Sequence, residues 1–216
     1  MLTLTLGLAL ITPAARCAST FDAAPTPPPA DSLAALYDRG RTFDAFLQSA
    51  KERRESWLGN YAAAVPDPGF LERARAVPGK WRLLVVLEDK CSDSVNTIPY
   101  VAKLVDSLGG SVTLRVVNST EGKWVMERHR TPDGRAATPT VVLLDDQGNG
   151  RGCFIERPLV LQAWVAQNRA KLTDAEFVDQ KTAIYRKDAG HRTVREIVEL
   201  LESASLGTPR CQGAIR

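Results

Sequence analysis

The feature that most constrains this chain is the stretch Trp81-Arg-Leu-Leu-Val-Val-Leu-Glu-Asp-Lys-Cys91-Ser-Asp-Ser94. Leu83 to Leu87 are apolar at consecutive positions. That is the pattern of a strand covered on both faces, as in a parallel sheet. Beyond Ser94 the period changes, because Val95, Ile98, Val101, Ala102 and Val105 fall at helical spacing. The junction therefore predicts a buried strand that delivers a cysteine to the start of a helix. Free backbone N–H groups and the positive end of the helix dipole favour a thiolate there. Downstream, Thr138-Pro139 opens another apolar run, Val141 to Leu144. An X-Pro bond at the start of a strand is a place where a cis peptide is accessible.

The remaining elements follow from period and punctuation. Residues 31 to 57 read as helix, capped at Asp31 and Thr42, with Leu33, Leu36, Tyr37, Phe43, Phe46, Leu47 and Trp57 on the apolar face. A short helix opens at Asp67-Pro68. Strands are predicted over 82–88, 112–117, 141–144 and 151–156, the last two joined through Asp145-Asp-Gln-Gly-Asn-Gly150. Helices run from the cysteine to near Gly109-Gly110 and from Ser119 to about Arg130. Right-handed crossovers then give an α/β fold with a mixed four-stranded sheet, order 2-1-3-4, strand 4 being an antiparallel edge. Helices cover both faces. Three more are expected over 159–171, 174–187 and 193–203, and Thr173 with Glu176 and Thr193 with Glu196 form capping-box patterns. Amphipathic helices with charged outer faces predict packing rather than chemistry for this extension.

A strand, a cysteine at a helix start, a crossover strand, a helix and a Thr-Pro opening a further strand together resemble the thioredoxin fold. The closer likeness is to bacterial thioredoxin-like proteins whose site begins Cys-Gly-Asp or Cys-Pro-Asp in place of Cys-x-x-Cys. It is carried by Tyr37-Asp-Arg-Gly-Arg-Thr-Phe43, Phe70-Leu-Glu-Arg-Ala74, Pro99-Tyr-Val-Ala-Lys-Leu104, Ala137-Thr-Pro-Thr-Val-Val-Leu-Leu-Asp145, Glu156-Arg-Pro158 and Tyr185-Arg-Lys-Asp188. The likeness covers roughly 37 to 203. Lys90 stands where such relatives usually carry Trp, Ser92 replaces Gly or Pro, Asp93 is kept, and Ser94 fills the place of the second thioredoxin cysteine. The resemblance implies Cys91 as nucleophile and the Thr138-Pro139 loop as the place where an extended substrate strand docks.

At the N-terminus, Leu2 to Ile11 is apolar but too short to span a bilayer, and Pro13-Ala-Ala-Arg-Cys-Ala-Ser19 supplies small residues suited to cleavage. Residues 1–19 are expected to be a signal peptide, 20–30 a Pro-rich linker, 31–206 a thioredoxin-like domain with N- and C-terminal helical extensions, and 207–216 a tail. The protein would be exported, to the periplasm or otherwise beyond the cytoplasm. An uncleaved segment would instead tether it to a membrane. Cys17 leaves with the signal, so Cys91, Cys153 and Cys211 remain, an odd number for an oxidising compartment. A bridge between Cys153 and Cys211 is one reading; a buried, inert Cys153 is the other. A net charge of +3 with acids and bases interleaved leaves no basic stripe for nucleic acid. With His129 and His191 as the only histidines and no Cys-x-x-Cys, neither a metal nor another cofactor is expected, and both histidines are expected at the surface.

The neighbours of Cys91 act on it in opposite directions. Lys90 and the helix start favour the thiolate, while Asp93 competes for the same N–H groups and disfavours a second anion. Asp93 serves either as proton partner or simply as a helix-start carboxylate. With Ser94 in the resolving position, a mixed disulfide would need another thiol for its release. Two functions therefore stand side by side. One is a monothiol thiol–disulfide oxidoreductase or redox-linked factor whose partners are protein thiols, protein disulfides or small thiols. The other is a redox-inactive module that binds a peptide or protein in the groove beside Pro139.

Overall fold

The computed structural model describes residues 32–212 and 214–215; the expected signal peptide, the linker and Asp31 lie outside the described residues. In chain order the elements are α1 (Leu33–Arg39), α2 (Phe43–Ser49), α3 (Arg54–Ala63), α4 (Pro68–Ala76), β1 (Trp81–Leu87), α5 (Ser92–Val95), α6 (Ile98–Asp106), β2 (Val112–Asn118), α7 (Lys123–Arg128), β3 (His129–Arg130), β4 (Thr140–Leu144), β5 (Gly150–Ile155), α8 (Leu159–Asn168), α9 (Asp174–Asp188), α10 (His191–Ser205), β6 (Arg210–Cys211) and β7 (Ala214–Ile215).

The consecutive apolar residues of β1 serve two layers at once. Leu83, Val85 and Leu87 pack with α2, α3, α6 and α10 through Phe46, Trp57, Ile98 and Ile197. Leu84 and Val86 point the other way, onto Leu36 and Tyr37 of α1 and Val125 and Met126 of α7. A strand with helices on both sides needs apolar residues at every position, because alternate side chains face opposite layers.

The main sheet has the order β2-β1-β4-β5-β6. β1 and β2 are parallel, with Val85 opposite Val116. β4 is antiparallel to β1, with Val85 opposite Val141, so it is already this third strand, and not only the fourth, that reverses direction. The cause is the short connection: α7 has six residues, about 9 Å of helix, against about 23 Å for a seven-residue strand. It does not carry the chain back along the sheet, so β4 begins at the end where β1 finishes. β5 pairs antiparallel with β4, and a register shift lies between Leu143 and Leu144. Nor is β5 the edge, since β6, from the expected tail, adds parallel to it with Cys211 opposite Cys153. β7 pairs with β3 in a second, two-stranded sheet. The fold class, helices on both faces of a mixed sheet, stands.

Other boundaries differ from the sequence expectation for local reasons. The helix expected over 31–57 is three helices. The chain leaves α1 at Gly40 so that Arg41 can exchange backbone hydrogen bonds with Val116 of β2, at 2.9 and 2.8 Å. The caps at Thr42 and Asp67 form, and Ser32 caps α1. The capping box at Thr173 and Glu176 is complete. The one expected at Thr193 is not. Gly190, at φ 76 beside Tyr100, turns the chain and starts α10 at His191, which leaves Thr193 buried inside the helix. α7 stops at Arg128, and His129 enters β3 as a buried residue, not a surface one, with its ring Nδ1 2.9 Å from the Val125 carbonyl. Burial pushes the His129 imidazole below its ordinary pKa. His191 is exposed.

Candidate active site around Cys91

β1 ends against the acidic turn Glu88-Asp89-Lys90, and the Trp57 indole N–H donates to the Asp89 carbonyl at 2.9 Å. The turn delivers Cys91 as the N-cap of α5, in extended backbone conformation. The Ser94 amide lies 3.5 Å from the Cys91 sulfur. The half-buried thiol donates to the Thr138 carbonyl at 3.2 Å. The bond from Thr138 to Pro139 is cis. This loop is held on both sides: the Glu156 amide donates to the Pro139 carbonyl at 2.7 Å, and the Thr140 hydroxyl donates to the Ala137 carbonyl at 2.8 Å. The antiparallel entry of β4 is what brings Thr138 to the end of β1.

Behind the cysteine lies a buried charge network. The Asp93 carboxylate accepts from Arg157 Nη2 at 3.0 Å, from Lys181 Nζ at 3.2 Å on each oxygen, and from the Tyr185 hydroxyl at 2.6 Å. Lys181 Nζ also donates to Ser92 Oγ at 3.0 Å. Arg157 reaches Glu156 as well, and Glu156 takes a two-pronged bond from Arg135 at 3.1 and 3.0 Å. Asp93, Glu156, Arg157, Lys181 and Tyr185 are all buried. Burial, followed by the charge of Asp93 and its hydrogen bond, pushes the Tyr185 phenol well above its ordinary pKa, so it serves as a neutral donor.

Lys90 is exposed, and its carbonyl accepts from Arg53 Nε at 2.7 Å. Beyond Cys91, the cations bonded to the first turn of α5 are Lys181, on Ser92 and Asp93, and Arg157, on Asp93. Ser94 is fully buried, and its hydroxyl has no hydrogen-bond partner. Cys153 is bonded to Cys211, with Cα atoms 4.4 Å apart, and the pair packs with Ala137 and Ile155. Among the described residues, Cys91 is therefore the free cysteine. No group of three or more His, Cys, Asp or Glu side chains among the described residues is placed to hold a metal ion.

A family profile described as Thioredoxin matches residues 40–175. The chain belongs to the thioredoxin family. A crystal structure of a protein of unknown function from Pseudomonas aeruginosa is similar at 20% identity and a TM-score of 0.63, over 80% of this chain and 98% of that one. An HIV epitope scaffold is similar at 19% identity and a TM-score of 0.61, over 80% and 98%. Both likenesses are of fold. No curated protein matches the chain.

Cys91 and Ser94 bracket the first turn of α5, with the Ser94 amide 3.5 Å from the Cys91 sulfur. The residues that sequence reasoning missed are those that surround Asp93. Arg157 lies in Glu156-Arg-Pro158, which supported the resemblance, yet nothing local says that it folds inward. Lys181 and Tyr185 are four apart and so share one face of α9. That pairing, and the place of Tyr185 in Tyr185-Arg-Lys-Asp188, were the available signals, but nothing local says that the two side chains meet a buried carboxylate.

Proposed function

We propose that this thioredoxin-family protein exchanges thiols and disulfides through the single thiol of Cys91. The observation that carries the reading is the Cys91 thiol at 3.2 Å from the Thr138 carbonyl, immediately before a cis proline. A substrate segment laid in extended form along Thr138 and Pro139 would bring its own sulfur beside Cys91. The thiolate attacks one sulfur of the substrate disulfide. A new sulfur–sulfur bond joins Cys91 to that half, and the other half leaves as a thiolate. Since Cys153 and Cys211 are bonded to each other, the second thiolate comes from outside, from a protein or a small thiol. It attacks the mixed disulfide and restores Cys91, so that one disulfide is exchanged for another without net gain or loss of electrons. The Cys153–Cys211 bridge suits an oxidising compartment and supports a reading of the protein as exported.

A binding module that uses the same groove is the second reading, favoured by the buried, unpartnered Ser94 hydroxyl where a resolving thiol would stand. Oxidised glutathione separates the two. Under the first reading the intact mass of the wild type gains one glutathionyl group, and Cys91→Ala gains none. Absence of the adduct on the folded wild type, under conditions that label the unfolded chain, overturns the first reading in favour of the module.

A further inference from the structure

We infer that Lys181 and Tyr185 are positioning residues for Cys91: through Asp93 and Ser92 they fix the turn that presents the thiol. The inference deepens the monothiol reading and rests on it for its consequence in reactivity, while its geometry stands apart. α9 has 15 residues, and the side chains it buries are those of Lys181 and Tyr185. α10, of the same length, buries an apolar stripe that includes Ile197, Val198 and Leu201, and is a core helix. α9 is not. It is held by polar bonds that converge on Asp93, and by Phe177 stacked on Trp164 of α8 with ring centres 5.7 Å apart.

Those bonds end on the first two residues of α5. Ser92 Oγ and both oxygens of Asp93 accept from one ammonium, and the Tyr185 hydroxyl completes one side of the carboxylate. Arg157 holds the carboxylate with a further bond. A buried charge left without a partner is strongly destabilising, so the carboxylate goes where its donors are. The donors on α9 thereby set the direction of the first turn of α5, and with it the Ser94 N–H that lies 3.5 Å from the Cys91 sulfur. Lys181 also brings a buried cation one residue from the thiol.

The test uses the full chain with Lys181→Met and Tyr185→Phe. Three quantities are measured: amide exchange at Ser94, amide exchange across 174–188, and the rate of Cys91 alkylation by iodoacetamide at fixed pH. Faster exchange is expected at Ser94 and across α9 in both variants. Alkylation of Cys91 should slow by about fivefold in Lys181→Met, the size of one lost hydrogen bond. Added to Asp93→Asn, Lys181→Met should bring little further change, since the two act through one set of bonds. Tyr185→Phe keeps the ring and removes one hydroxyl, so it reports even if Lys181→Met does not fold. Faster exchange confined to 174–188, with Ser94 and Cys91 unmoved, would make the two residues ordinary docking contacts and overturn the inference. A wild-type Cys91 that resists alkylation while Ser94 loosens in the variants would overturn the monothiol reading alone and leave the positioning in place.

Discussion

The Tyr185 hydroxyl donates to the Asp93 carboxylate at 2.6 Å, joining residues 92 apart in the chain. Two further donors, Arg157 after β5 and Lys181 on α9, reach the same carboxylate, so segments far apart in sequence meet two residues beyond Cys91. A buried anion satisfied by two cations and a phenol is a rigid support, because each partner would be costly to leave unpaired.

Asp93→Ala should be among the most damaging single changes. It takes the shared acceptor from buried Arg157 and Lys181, and breaking a buried pair costs about 3–5 kcal/mol. The urea midpoint should fall accordingly. Asp93→Asn keeps the shape and one acceptor oxygen, so its loss should be smaller. A midpoint unchanged in Asp93→Ala would mean that water replaces the carboxylate.

Cys211→Ser should destabilise the chain in non-reducing buffer. The bridge joins residues 58 apart, and the chain-entropy model gives about 4 kcal/mol for a loop of that length, a value that engineered bridges often fail to reach. Loss of the bridge also loosens β6, which Gln212 ties down by accepting from the Ile155 amide at 2.6 Å. Non-reducing peptide mapping of the wild type checks the pairing. A free Cys211 there removes the basis of the prediction.

Gly152→Ala should hinder formation of that bridge. Gly152 has φ 154, and a Cβ there would collide with the Arg210 carbonyl and with Leu200. The bare backbone is what allows β6 to lie against β5. Oxidative refolding should therefore leave more free thiol in the variant than in the wild type, as counted by alkylation and mass; equal counts would show that β6 docks despite the added methyl.

Glu196 should make stability depend on pH. It accepts from the Leu159 amide at 2.9 Å and is bonded by Gln212. Burial pushes its carboxyl up from 4.5 to about 7. Between those two values the folded state holds more protons than the unfolded state, so the contribution of Glu196 is greatest below about pH 4.5 and is lost as pH rises through about 7. Buried His129, with its pKa lowered, acts with the opposite sign, and so the comparison is with Glu196→Gln. The wild type should lose stability relative to that variant between pH 5 and pH 8. Parallel urea midpoints across the range would show that Glu196 titrates normally.

What the sequence determined by itself is whatever neighbouring residues decide. The run Leu83 to Leu87 set a two-faced strand, Asp67-Pro68 and Thr173 with Glu176 set helix starts, and the spacing after Ser94 set the helix that follows Cys91. Each of these rests on period or on a cap that forms within four residues, and such interactions leave a local signature. The Cys91 turn and the Thr138-Pro139 loop were legible because each carries its own motif and a family likeness relates the two. The tertiary structure alone decided the direction of β4, the break at Gly40, the burial of His129 and the gathering of Arg157, Lys181 and Tyr185 on Asp93. An arginine and a lysine are ordinarily exposed, and a buried tyrosine hydroxyl needs a partner; here all three are satisfied by a carboxylate that arrives from another part of the chain. That partner lies 64 to 92 residues away, beyond the reach of any local pattern.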